Sequence, residues 1–257
     1  MTFPIFLVRA AFFLAFFFGS AFAHDKSIPV LCYHRCGAEV EDSMTIKTKA
    51  FAAQLEWLKV NGYTVIPLET AAKYIKGEIK SIPAKSIVIT ADDGHKSVYT
   101  DMAPLIKKYK VPVTLFIYPS AISNASYAMT WDQLRELEAT KLFHVESHTY
   151  WHPNFKREKK TLSSKEYEKS VHAQLYKSKA TLEKKMGHSI KYLAWPFGIY
   201  DEDLLKRAKE AGYEMAFSID HHHAKSSEPL MAKSRYMIID GHTLKRFESI
   251  SSGKEDK

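Results

Sequence analysis

The stretch Ser86-Ile87-Val88-Ile89-Thr90-Ala91-Asp92-Asp93-Gly94 is an apolar, β-branched run that delivers two adjacent carboxylates to a glycine. Near-continuous apolarity describes a strand buried on both faces, as in a parallel sheet covered by helices. Gly94 permits a tight turn into a helix expected from about Lys96. Runs of the same kind recur at residues 29–33, 64–66, 113–118, 143–147, 192–195, 214–219 and 236–239. Helical patterns lie between them. Residues 48–60 repeat apolar side chains at Phe51, Leu55 and Leu58, and residues 165–186 place Val171, Leu175, Leu182 and Met186 on one stripe. Ser163 and Glu166 form a capping box ahead of that longer helix. Asn61-Gly62-Tyr63 and Ala211-Gly212-Tyr213 put a glycine where each helix gives way to a strand. Repeated β-α alternation predicts a parallel sheet, open or closed into a barrel, with its chemistry at the C-terminal ends of the strands.

Residues 1–23 read as a secretory signal peptide: Arg9 in an apolar run, then small residues ending in Ala21-Phe22-Ala23. An uncleaved N-terminal anchor is the alternative; a buried helix of the fold is disfavoured because the segment has no polar face. Residues 24–257 then form one domain with a substantial core. No later stretch is long and apolar enough to span a bilayer. The net charge of +8 is scattered along the chain, which reads as solubility, and no nucleic-acid partner is expected. Cys32 and Cys36 are expected as free thiols, since a bridge across so short a loop would bend the strand through Cys32. Two cysteines are too few for a structural zinc site.

Three strand ends carry candidate chemistry. Asp92 and Asp93 can divide their labour, one binding a metal and the other serving as a base, although an aspartate there can equally cap a helix. His148-Thr149-Tyr150-Trp151-His152-Pro153 follows the run at 143–147, and two histidines four apart on one helical turn can share a metal. Ala194-Trp195-Pro196-Phe197-Gly198 offers a stiff aromatic turn, suited to a pocket wall or to an ordinary β-to-α connection. One Asp with two His supplies three ligands and leaves a position open for water, the arrangement of a catalytic zinc site. Elsewhere, Glu146 is a candidate support for the histidines, and Tyr150, Trp151 and Trp131 are core residues or sugar-stacking rings. His221-His222-His223 reads as an exposed loop run rather than a metal site.

These residues together resemble the NodB-type polysaccharide deacetylases, carbohydrate esterase family four. Thr90-Ala91-Asp92-Asp93-Gly94 is similar to the T-F-D-D-G motif, with Ala91 at the Phe position. His148 to His152 is similar to H-[ST]-x-x-H. Trp195-Pro196-Phe197-Gly198 is similar to R-x-P-[FY], with Ala194 at the Arg position. The resemblance spans roughly residues 29–240 and implies a distorted (β/α) barrel of about seven parallel strands. It implies Asp92 as catalytic base, and Asp93, His148 and His152 as ligands of one divalent ion. Zinc is the first choice, with iron, cobalt or nickel as alternatives. The Phe197 N–H would help hold an oxyanion.

Two departures from the family pattern matter. The C-terminal L-x-x-H of many relatives is missing, and Asp240-Gly241-His242 is a poor match. Leu31-Cys32-Tyr33-His34, at the end of the first strand, supplies that motif instead. This arrangement is similar to the deacetylases of poly-β-1,6-N-acetylglucosamine and makes His34 the general acid. The Arg that orients the base in relatives is also missing, and Arg235 or Arg35 is the candidate substitute. Trp195, Pro196, Phe197, Asp220 and Arg235 are the expected substrate contacts. The resemblance implies an exported enzyme, periplasmic or extracellular, acting on an amino-sugar polysaccharide beside its synthesis or export machinery. A peptidoglycan N-deacetylase, or a non-catalytic glycan-binding protein on the same fold, are the competing readings.

Overall fold

The structure is a computed structural model that describes residues 26–254; the signal peptide expected at residues 1–23 lies outside them. Seven strands build the main sheet: β1 (Val30–Tyr33), β2 (Ser86–Asp92), β3 (Val113–Ile117), β4 (Phe143–Ser147), β5 (Tyr192–Ala194), β6 (Met215–Phe217) and β7 (Tyr236–Met237). Their spatial order is β6-β5-β4-β3-β2-β1-β7, every pair parallel. The short strand Thr64–Val65 pairs with the start of β2. All eight predicted runs therefore form strands, most of them a residue or more shorter than the apolar pattern suggests.

The sheet curls into the half-barrel of a distorted (β/α) barrel. Its two edges meet at a parallel bridge between Phe217 of β6 and Lys233, three residues ahead of β7. There the Ser218 N–H donates to the Lys233 carbonyl and the Lys233 N–H to the Ala216 carbonyl, both at 2.8 Å. The segment from Lys233 to Met237 thus closes the barrel, pairing first with β6 and then with β1.

Strand alternation divides the apolar residues into two cores. Leu31, Ile87, Ile89, Leu115, Val145 and Leu193 face outward and pack under the surrounding helices. Val30, Val88, Phe116, Tyr192, Met215 and Phe217 fill the interior, and helix Leu68–Lys76 plugs its lower end with Leu68, Ala71, Ala72 and Ile75. Continuing the alternation along β2 from Val88 places Thr90 and Asp92 on the interior side.

Residues 165–186 depart from a single α-helix. They form Ser164–His172, a π-helical stretch Ala173–Lys177 and Ser178–Met186 in succession, and the predicted capping box at Ser163 and Glu166 is present. The π-stretch turns Gln174 inward, where its Oε1 accepts the N–H groups of Tyr150 and Trp151. Cys32 and Cys36 are free and buried. Among the described residues, no helix is long and apolar enough to cross a membrane.

Phe217 is fully buried between Phe116, at 5.9 Å between ring centroids, and Tyr192, at 6.5 Å. Phe217→Ala should lower the free energy of unfolding by about 3–5 kcal/mol, read from urea denaturation followed by tryptophan fluorescence.

Candidate active site

Asp93 follows β2 with φ at 72°, in the left-handed region, and Gly94 comes next at 71°. Asp92 completes the strand on its interior side, while the reversed backbone at Asp93 swings the second carboxylate out over the strand ends. One backbone reversal gives the two neighbours different surroundings.

The predicted histidines come to the same place by a different route. His148 to His152 form an open loop, and the expected helical turn is absent because Thr149 and His152 adopt φ of 67° and 59°. Even so, His148 Nε2 and His152 Nε2 each lie 3.6 Å from Asp93 Oδ1. Ligands separated by about 3.4 Å surround a tetrahedral ion at bonds of about 2.0–2.1 Å, so the three atoms need only draw in slightly. Asp93 Oδ1 is buried and has no hydrogen-bond partner within the protein, the condition of an atom awaiting a cation. The His148 Nδ1–H donates to the Ala194 carbonyl at 2.8 Å, which aims the Nε2 lone pair at Asp93. Burial, and then the neighbouring His148, push the His152 imidazole down to about 4, so it stays neutral as a ligand must. The donor set fits one divalent ion.

Asp92 lies beside this group, its Oδ2 3.8 Å from His148 Nε2. Arg235 grips it from the barrel seam: Nη1 donates to Oδ1 at 2.8 Å and Nη2 to Oδ2 at 2.7 Å. The guanidinium is fully buried, and it also donates to Thr90 Oγ1 and the Ser218 carbonyl while lying over the Phe116 ring. Burial by itself would raise the Asp92 carboxyl; Arg235 outweighs it and holds the group well below the usual carboxylate range. Of the two candidate arginines, Arg235 is the one that pairs with Asp92. Arg35, the other candidate, pairs with Asp42 instead.

His34 reaches the same cavity, one of its ring nitrogens within 4.8 Å of an Asp92 oxygen. Burial lowers its basicity, against the pull of Asp92. Between them sits Cys32, whose thiol donates to Asp92 Oδ2 at 3.3 Å. Sequence reasoning did not assign this contact. The signal was present, because alternation along Val30-Leu31-Cys32-Tyr33-His34 puts Cys32 and His34 on one face. Tyr118 was also missed; its ring lies 5.4 Å from that of His152.

The cavity holds about 460 Å³, and Phe197 and Gly198 form part of its wall. Phe197 takes φ of 56° and is 57% exposed at the mouth, with its ring 4.6 Å from that of His152. Trp195 borders the cavity, yet its ring is 1% exposed and its indole N–H donates to the Met231 carbonyl, so its faces are core. Pro196 is buried at the start of the same turn. Asp220 accepts from Tyr200 and Ser218. Trp151 is exposed, while Trp131 is only partly buried against the core. Glu146 does not support the metal histidines: its Oε2 accepts the N–H groups of Lys191 and Tyr192. The histidine run at 221–223 is not uniformly exposed, because His223 is buried and bonded to the Ile250 carbonyl.

Removing one partner of a fully buried ion pair leaves an uncompensated charge. Arg235→Met should therefore cost about 3–5 kcal/mol in urea denaturation, and adding Asp92→Asn should return part of that loss.

The chain is similar to known proteins in sequence and in fold. The polysaccharide deacetylase family model matches residues 80–216. The poly-beta-1,6-N-acetyl-D-glucosamine N-deacetylase of Staphylococcus aureus strain MRSA252 is 27% identical over 211 residues, covering 79% of this chain and 72% of that one. Among solved structures, the Streptococcus pyogenes deacetylase PplD in complex with acetate superposes with a TM-score of 0.78 at 20% identity, over 88% of this chain and 99% of that one. IcaB from Ammonifex degensii gives 0.73 at 24% identity, over 88% and 96%. At these identities the two structures speak for the fold. The family match extends over more than half of the sequence and includes the paired carboxylates and both histidines, so the chain belongs to the NodB-type polysaccharide deacetylases, hydrolases of N-acetyl amide bonds.

Proposed function

We propose that the protein is an exported, metal-dependent deacetylase that removes N-acetyl groups from a poly-N-acetylglucosamine exopolysaccharide. The observation that carries this reading is the convergence of Asp93 Oδ1, His148 Nε2 and His152 Nε2 beside Asp92. A non-catalytic glycan binder has no use for a buried carboxylate held ionised next to a metal triad. Two features favour this polymer. One is Leu31-Cys32-Tyr33-His34 at the first strand end; the other is the named substrate of the Staphylococcus relative.

Asp93, His148 and His152 would hold one divalent ion, zinc by ligand type, which when bound polarises the acetamide carbonyl and acidifies a water. Asp92 takes a proton from the water whose oxygen bonds to the carbonyl carbon. Arg235 keeps that carboxylate ionised and in fixed orientation; Oδ2 accepts from both Arg235 and Cys32, and Oδ1 retains a lone pair beyond its guanidinium bond. The Phe197 N–H donates to the oxygen that gains charge. His34, protonated, donates to the departing nitrogen as the C–N bond breaks, giving a free amine and acetate. Burial depresses His34, and the negative charge that develops during the reaction supplies a field that favours its protonated form. Phe197 offers a face for sugar stacking, and Asp220 a contact beyond the mouth.

Acetate release from poly-β-1,6-N-acetylglucosamine, chitin oligomers and peptidoglycan tests this assignment. The first polymer should be the best substrate, and chelation should abolish turnover until a divalent ion is restored. Asp92→Asn and His34→Ala should each lower kcat by about 10²–10⁴-fold. Equal release by all variants would refute the roles, and reaction with peptidoglycan alone would favour a cell-wall deacetylase.

A further inference from the structure

At the end of the barrel opposite Asp92, three elements bring a second set of metal-binding side chains together. Glu138 comes from the last turn of helix Trp131–Ala139, His144 is the second residue of β4, and His188 follows helix Ser178–Met186. One ligand atom from each lies within 4.8 Å of the others. We propose that Glu138, His144 and His188 form a second divalent-metal site, structural in kind and suited to zinc or a similar borderline ion.

His188 lies between two acceptors, and His144 between two carboxylates of which the nearer is Glu146. His188 Nδ1 is 3.1 Å from the Ser189 carbonyl and its Nε2 2.9 Å from Glu138 Oε1. His144 Nε2 is 3.2 Å from Glu146 Oε1 and its Nδ1 3.8 Å from Glu138 Oε1. A neutral imidazole carries one N–H and satisfies one acceptor. His144 Nδ1 and Glu138 Oε1 are too far apart for a hydrogen bond but close to the separation of two ligands on one ion. The rings stack at 4.4 Å between centroids and 25° between planes, and each turns one nitrogen toward Glu138 Oε1. One divalent ion bound to His188 Nε2, His144 Nδ1 and Glu138 would draw these three atoms together and neutralise the carboxylate.

Glu146 gives an independent indication. It is fully buried, and its Oε1 lacks a well-aligned hydrogen bond. That oxygen faces His144 Nε2, so it would accept this N–H and leave Nδ1 for the metal, the carboxylate–histidine–metal relay seen around zinc. A cavity of about 340 Å³ beside Glu138, His144 and His188 admits the ion and the water that completes its coordination. The bound ion would tie helix, strand and loop together at the closed end of the barrel.

Metal-free protein dialysed against zinc and analysed by mass spectrometry tests the site. Wild type should bind two ions per chain. His144→Ala and His188→Gln should bind one and still release acetate, and the half-exposed His144 side chain makes loss of the fold an unsuitable explanation. Asp93→Ala should retain one ion, which the further change His144→Ala removes. Unchanged stoichiometry in His144→Ala, or an ion in Asp93→Ala that is indifferent to His144, would overturn the proposal. The Asp93→Ala comparison reads this site separately from the proposed catalytic one.

Discussion

The fully buried pair between Arg235 and Asp92 joins the barrel's closure to its chemistry. The guanidinium hangs from the seam where β7 approaches β6, and the carboxylate ends β2 on the far side of β1. Burying two charges costs several kcal/mol each, and only close geometry with further hydrogen bonds offsets it. Bidentate pairing, Thr90, the Ser218 carbonyl and the Phe116 ring together supply that geometry. The pair holds Asp92 ionised and in one orientation, which the proposed base requires. A barrel that opened at its seam would lose the orientation along with the closure.

The second constraint is the reversal of the backbone after Asp92. A strand sends successive side chains to opposite faces, so in a regular strand Asp93 would point away into the outer core. Its positive φ brings it instead to the strand ends, where Thr149 and His152, also left-handed, fold the histidine loop toward it. Such conformations cost of order 1–3 kcal/mol each and persist where surrounding structure holds them. Gly94 shows that support: an added Cβ would sit 3.0 Å from both Ile117 and Ile122. Tight packing beneath the turn is what keeps two adjacent carboxylates in unlike environments.

Glu146 illustrates how far local reading reaches. Its place two residues before His148 suggested support for the metal ligands. Alternation puts Glu146 and His148 on one face, yet the Glu146 carboxylate turns to the N–H groups of Lys191 and Tyr192. His148 takes its orienting contact from Ala194, 46 positions away. Nearness in sequence did not predict which group would hold which.

The strands, their parallel pairing and the four residues Asp92, Asp93, His148 and His152 were legible in the chain, because each rests on short-range pattern: apolar runs, glycine stops and polar residues at strand ends. Arg235 could be named only as one of two candidates. Choosing it over Arg35 required knowing that β7 lies beside β1 and that its preceding segment touches β6, a relation between residues 143 positions apart from Asp92 to Arg235. The loop form of His148 to His152, the buried faces of Trp195 and the thiol contact of Cys32 were likewise decided in three dimensions. Local sequence specifies which backbone conformations are cheap and which faces are apolar; which charged groups meet, and which rings remain open to solvent, depends on how the sheet curls and closes.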